Sequence, residues 1–132
     1  NWNLGRDRTA TVDEQSVVSS GSGANVSLIN VGSPVTYSVV AGATSPYRGW
    51  NSSKYGELVP SPSVRAHAAG PVNRIVTVVV PRGSGVAPTE ASATGTVTID
   101  GADVTTTKGG QTYRVALTST GAVRLPEEPE LP

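Results

Sequence analysis

The sequence predicts an all-β protein, an antiparallel β-sandwich of two stacked sheets built from about seven to nine short strands. Three observations lead there. Twenty valines and fifteen threonines stand against six leucines, three isoleucines and no phenylalanine or methionine. Branching at Cβ stiffens a side chain and suits a pleated, half-buried surface better than a helix. Apolar and polar residues alternate with a period of two in several short runs, and Gly, Pro, Asn and Asp punctuate them at roughly ten-residue intervals.

Trp2-Asn3-Leu4 already alternates like a strand. Ala10 and Val12 share a parity, and Val17 and Val18 follow the polar Asp13-Glu14-Gln15, which predicts one or two weak strands between Thr9 and Ser19. Val26 to Leu28 and Val35 to Val39 alternate across the turn chemistry of Asn30-Val-Gly-Ser-Pro34, a pattern expected for a hairpin. From Ala41 to Pro71 the alternation stops, predicting a long functional or self-packed loop. Asn73 to Pro81 is the clearest strand, with Val76, Val78 and Val80 on one face and Ile75 and Val79 on the other, so it is expected to be central and buried on both sides. Arg82 to Ala93 reads as a mobile Gly/Ser/Pro/Ala-rich excursion. Val97 and Ile99 lead into the turn pair Asp100-Gly101, and Val104–Thr107 and Tyr113–Leu117 flank Lys108-Gly-Gly-Gln111 as a second hairpin.

The length fits a single domain over residues 1–124, with an acidic, proline-rich tail or linker over 125–132. Ten basic and ten acidic side chains cancel without a Lys/Arg cluster, so nucleic acid is not an expected partner. No cysteine and a single histidine, His67, leave no zinc ligand set, and neither a metal nor a cofactor is expected. No apolar run approaches the ~20 residues of a membrane helix, so no membrane partner is expected either. A chain that opens on Asn1 in mid-alternation reads as cut from a longer polypeptide.

Residues 45–62 concentrate three of the six aromatics, Tyr47, Trp50 and Tyr55, with Arg48, Lys54 and several prolines. Ring faces that stack on sugar C–H groups, beside cations that meet a carboxylate or sulfate, are what binding an acidic polysaccharide requires. Tyr47, Arg48, Trp50, Lys54 and Tyr55 are therefore the candidate substrate-binding residues, with no catalytic residue assigned. The structural alternative has Trp50 and Tyr55 plugging the sandwich, the commoner use of large rings. In either case the loop is expected to be ordered, with Trp50 as its anchor.

Gly49-Trp50-Asn51-Ser52-Ser53-Lys54-Tyr55-Gly56-Glu57 and the following Val59-Pro60-Ser61-Pro62-Ser63-Val64 resemble the Gly-Trp-x-Ser-x-x-Tyr-Gly-x-x-x-Pro-x-Pro stretch of heparinase II/III-like polysaccharide lyases. Val78-Val79-Val80-Pro81 is similar to the strand that follows it there, and Asn1 to Leu4 to the strand that precedes it. The resemblance covers residues 1–82. It implies a C-terminal β-sandwich region of a secreted or periplasmic bacterial enzyme whose upstream (α/α) toroid helps cleave uronate-containing polysaccharides by β-elimination. The chain would then be an accessory domain that supports or completes the toroid's cleft and is not catalytic alone. The other reading is a stand-alone carbohydrate-binding or adhesive module, favoured if the Trp50 indole is accessible and coplanar with another ring.

His67 could serve as a base, but a lone histidine beside a strand is more often structural. Asp100 and Asp103 could hold calcium with loop carbonyls, but shaping turns is their commoner role. Gly21-Ser-Gly23 and Gly83-Ser-Gly85 lack the lysine and helix start of a phosphate loop.

Overall fold

A computed structural model describes residues 1–71 and 74–125. It is all-β and antiparallel, as expected. Among the described residues the strands run in chain order as β1 (Trp2–Asn3), β2 (Thr9–Asp13), β3 (Ser16–Ser20), β4 (Asn25–Val31), β5 (Val35–Val40), β6 (Ala43–Thr44), β7 (Tyr47–Arg48), β8 (Trp50–Asn51), β9 (Val59–Pro60), β10 (Ser63–Ala68), β11 (Val76–Arg82), β12 (Ala91–Val97), β13 (Ala102–Lys108), β14 (Gln111–Thr118) and β15 (Gly121–Leu125). They are more numerous than expected because a third layer and two small ribbons join the two stacked sheets. The first layer has the order β1-β10-β5, the central layer β11-β4-β3-β2 and the third β12-β13-β14-β15, while β6-β7 and β8-β9 form the ribbons.

Two apolar cores hold the layers together. Val17 and Leu28 of the central layer meet Val35, Tyr37 and Val64 of the first, with Trp2, Leu4 and Val39 partly buried around them. Val31, with Val76 and Val78 beside it, meets Ala102 and Val104 of the third layer. Each fully buried Val or Leu contributes about 1.5–3 kcal/mol. Strand β4 serves both cores, and none of its residues is exposed.

The doubly covered strand is therefore β4, not the valine run. Among the described residues strand β11 pairs only with β4 and so forms a sheet edge. The first layer does not reach over it, which leaves Val79 52% exposed while Val80 is 4% exposed. Pro81, with no N–H to donate, fits an edge. Asn73, the expected start of this strand, and the tail from residue 126 lie outside the described residues.

Two further expectations are corrected. Strands β4 and β5 do not form a hairpin; they belong to different layers, and residues 32–34 carry the chain across the sandwich. The crossing is clamped by Gln15, whose Oε1 accepts from Val35 N at 2.9 Å and from Asn30 Nδ2 at 3.1 Å, and whose Nε2 donates to Val35 O. The stretch from Ala41 to Pro71 is not one loop, because it contains β10, the middle strand of the first layer. Small alanines hide its alternation: Val64, Ala66 and Ala68 face the core, while Arg65 and His67 are exposed. The Gly/Ser/Pro-rich excursion narrows to a loop and a short 3-10 turn, Pro88–Glu90, before β12. The expected hairpin at Lys108–Gln111 is present, with Gly109 and Gly110 both at positive φ, as a two-residue connection demands.

Arg82 is 4% exposed. Its Nε donates to Ser27 Oγ at 2.9 Å, Nη1 to Val86 O at 2.7 Å and Nη2 to Ser19 O at 2.7 Å, tying β11, β4, β3 and the loop after β11. A cation is tolerated so deep only because neutral acceptors surround it.

The edge position of β11 is tested by neighbouring substitutions. Val80→Asp should lose several kcal/mol and fail to fold cooperatively, whereas Val79→Asp should stay within about 1 kcal/mol of the parent in urea denaturation. Equal damage at both positions would contradict the edge assignment. The Tyr37 phenol supplies a second test, since burial pushes it above its ordinary value while the Thr77 hydroxyl pulls it back. The folded state therefore holds this proton more tightly than the unfolded chain. The resulting stability is complete below about pH 10 and is lost as pH rises through the elevated folded value. Tyr37→Phe should flatten that alkaline fall in melting temperature.

Candidate functional site

The segment that concentrates the aromatics is organised around one carbonyl. Gly49 O accepts from Gly42 N at 2.7 Å and from Ser61 N at 2.9 Å, so three stretches of chain meet there. Gly49 has φ +79°, and a Cβ on it would strike Val40 O. Only glycine satisfies both the left-handed backbone and the close approach. On one side of this node, β6 and β7 form a tight ribbon with Ala43 opposite Arg48. On the other, Trp50 pairs with Pro60 and Asn51 with Val59.

Trp50 is half-buried beside Pro60 and Gly42, and its Nε1 donates to Ala43 O at 2.8 Å. This bond fixes the indole. The Tyr47 ring lies on it with centroids 5.6 Å apart and planes 16° from parallel. Tyr47 is 63% exposed, so it offers a ring face to solvent on an immobile support. Offset stacking of this kind contributes about 0.5–1.5 kcal/mol beyond area burial.

Beside the stack runs a groove of about 490 Å³ whose lining includes Asn3, Tyr47, Arg48, Trp50, Ser63 and Arg65. No carboxylate of the described residues lines it. Arg48 Nη2 donates to Ser38 Oγ at 3.4 Å, and its Nε is shielded from solvent without an acceptor among the described residues. Arg65 pairs in register with that same Ser38 and donates from Nε to Asn1 Oδ1 at 3.3 Å. Two guanidiniums thus flank one serine on the outer face of the first layer, and their mutual repulsion falls when an anion sits between them.

Of the five expected binding residues, Tyr47, Arg48 and Trp50 come together here. Lys54 and Tyr55 do not line the groove; they project on a separate turn, where Tyr55 is fully exposed. Arg65, Asn3 and Ser63 were missed. Their signal was the polar parity of Ser63-x-Arg65-x-His67, readable once Val64, Ala66 and Ala68 are taken as inward-facing. His67 is exposed opposite Thr36 on the same strand, outside the groove lining. Asp100 and Asp103 border a shallow depression at the end of the third layer, and no group of three or more His, Cys, Asp or Glu that could hold a metal occurs among the described residues. No helix among them is long and apolar enough to cross a membrane.

No protein-family model, curated protein or solved structure matches this chain. The resemblance to heparinase II/III-like lyases accordingly rests on the quoted residues alone.

The stack separates two kinds of effect. Trp50→Ala should cost about 2–3 kcal/mol, because a half-buried ring and its hydrogen bond go together. Tyr47→Ala should cost about 1 kcal/mol, the worth of the ring pair. Chemical denaturation measures both, and a Tyr47→Ala loss as large as that of Trp50→Ala would show that Tyr47 is structural too.

Proposed function

We propose that this chain is a carbohydrate-binding β-sandwich module whose ligand is an acidic polysaccharide. The observation that carries the reading is the Tyr47 ring, held parallel on Trp50 at the wall of a groove that contains Arg48 and Arg65 and, among the described residues, no acid. A sugar ring would lay its C–H face on Tyr47, while its carboxylate or sulfate would lie between the guanidiniums. Asn3 would supply hydrogen bonds to hydroxyls. A supported ring loses little entropy on binding, which favours affinity from a small contact.

A second reading, the accessory domain of a heparinase II/III-like lyase beside an (α/α) toroid in a secreted or periplasmic bacterial protein, draws on the Gly49–Val64 resemblance. That segment forms one wall of the groove, so the two readings share a surface and differ in whether another domain covers it.

Isothermal titration against heparan sulfate, hyaluronan, chondroitin and alginate, with neutral dextran as control, tests the proposal. Binding should occur to at least one acidic polymer, weaken with added salt, and fall about tenfold or more in Tyr47→Ala and in Arg65→Ala. Dextran should not bind. Undiminished binding by both variants would remove the groove from consideration. The chain alone should give no rise in ultraviolet absorbance from unsaturated uronate ends on any of these polymers.

A further inference from the structure

Tyr55 stands at the corner of a turn that is firmly built. Glu57 N donates to Lys54 O at 3.2 Å, and Gly56 follows Tyr55 with φ +75°, the arrangement of a type II turn. Beneath the corner, Ser53 Oγ donates to Glu57 Oε2 at 2.8 Å and accepts from Arg6 Nη1 at 3.1 Å, and Arg6 lies 3.7 Å from Glu57. A large ring is thereby held out in water, with Lys54 beside it and Leu58 54% exposed. Rings presented in this way are the residue type that dominates protein interfaces.

The central and third layers diverge beyond β4 and leave a cleft of about 290 Å³, room for one tyrosine side chain. Val18, Ile29, Ala91 and Ala93 are its half-buried apolar members, and the exposed Asp13 and Glu14 stand on its rim. Among the described residues the lining includes no lysine or arginine. Asp13, Glu14 and Lys54 all lack an ion-pair partner among the described residues.

Turn and cleft lie at opposite ends of the sandwich. Gln15, at the cleft, grips Val35, the first residue of β5. The turn hangs from the Trp50–Pro60 ribbon, anchored at Gly49 beyond the last residue of that strand. Within one copy they cannot meet.

We propose that the Tyr55 turn of one copy seats in the Asp13/Glu14-rimmed cleft of the next, with the Tyr55 ring against Val18 and Ile29, its hydroxyl among the polar lining residues, and Lys54 against the two carboxylates. The contact is heterologous, so it extends head to tail beyond a dimer, into open chains or larger rings. It uses none of the residues assigned to the Tyr47 groove, and its failure would leave the glycan reading intact.

Sedimentation equilibrium of the full chain, from micromolar to millimolar concentration at low and high salt, tests this. The weight-average mass should climb past that of a dimer and fall with salt. Tyr55→Ser, and separately Asp13→Lys with Glu14→Lys, should each weaken association at least about tenfold while melting like the parent. A mixture of these two variants retains one intact turn and one intact cleft and should stop at one-to-one dimers. A mass fixed at one copy throughout, a plateau at the dimer, or variants that associate like the parent would overturn the proposal.

Discussion

Strand β4 has neither face turned to water, and among the described residues only Asn30 Oδ1 of its buried side-chain polar atoms lacks a partner inside the protein. Asn25, Ser27 and Asn30 are all buried. Ser19 Oγ accepts from Val26 N at 2.7 Å, Ser27 Oγ accepts from Arg82, and Asn30 Nδ2 donates to Ser33 O at 2.9 Å. These bonds dictate what can lie on either side. The first layer must sit where Gln15 can reach Val35, and the loop after β11 must return its Val86 carbonyl to Arg82. An interior that combines apolar contact with this many directional hydrogen bonds tolerates few alternative packings.

The same staggering of layers positions the groove. Because Val64 is fully buried in the first core, the neighbouring Ser63 and Arg65 point to the opposite side of β10. The groove therefore rests on a strand whose inner face cannot rotate without opening the core. Its second wall hangs from the Gly49 carbonyl and the indole bond to Ala43. A surface supported in this way by packed and hydrogen-bonded neighbours is preorganised.

The fold class was legible because β-branched composition and two-residue alternation are local properties of the chain. The Lys108–Gln111 hairpin was legible for the same reason, since a Gly-Gly pair between alternating runs specifies its own partner. Which strands pair across the sandwich is not local, and there the reading failed. Asn30 to Pro34 looks alike whether it closes a hairpin or crosses between layers, and the Gln15 side chain that decides the matter lies fifteen residues before Asn30. Valine content at β11 measured hydrophobicity but not cover, which depends on how far another sheet extends. At the candidate site, the clustering of Tyr47, Arg48 and Trp50 along the chain was visible. Arg65 was not, because it reaches the groove through a strand whose alanines concealed its period.

The ribbon from Trp50 to Pro60 begins and ends at one place, with its first pair, Trp50 and Pro60, adjoining the node at Gly49. Lengthening a loop whose ends are already held together adds only about 0.6 kcal/mol for each doubling of its length. Residues 52–58 are therefore the point in this fold where whole segments can be exchanged or inserted at little thermodynamic penalty. The groove beside Tyr47 would keep its shape while the tip diversified, so one scaffold could carry many different tips at its end without rebuilding the surface on its side.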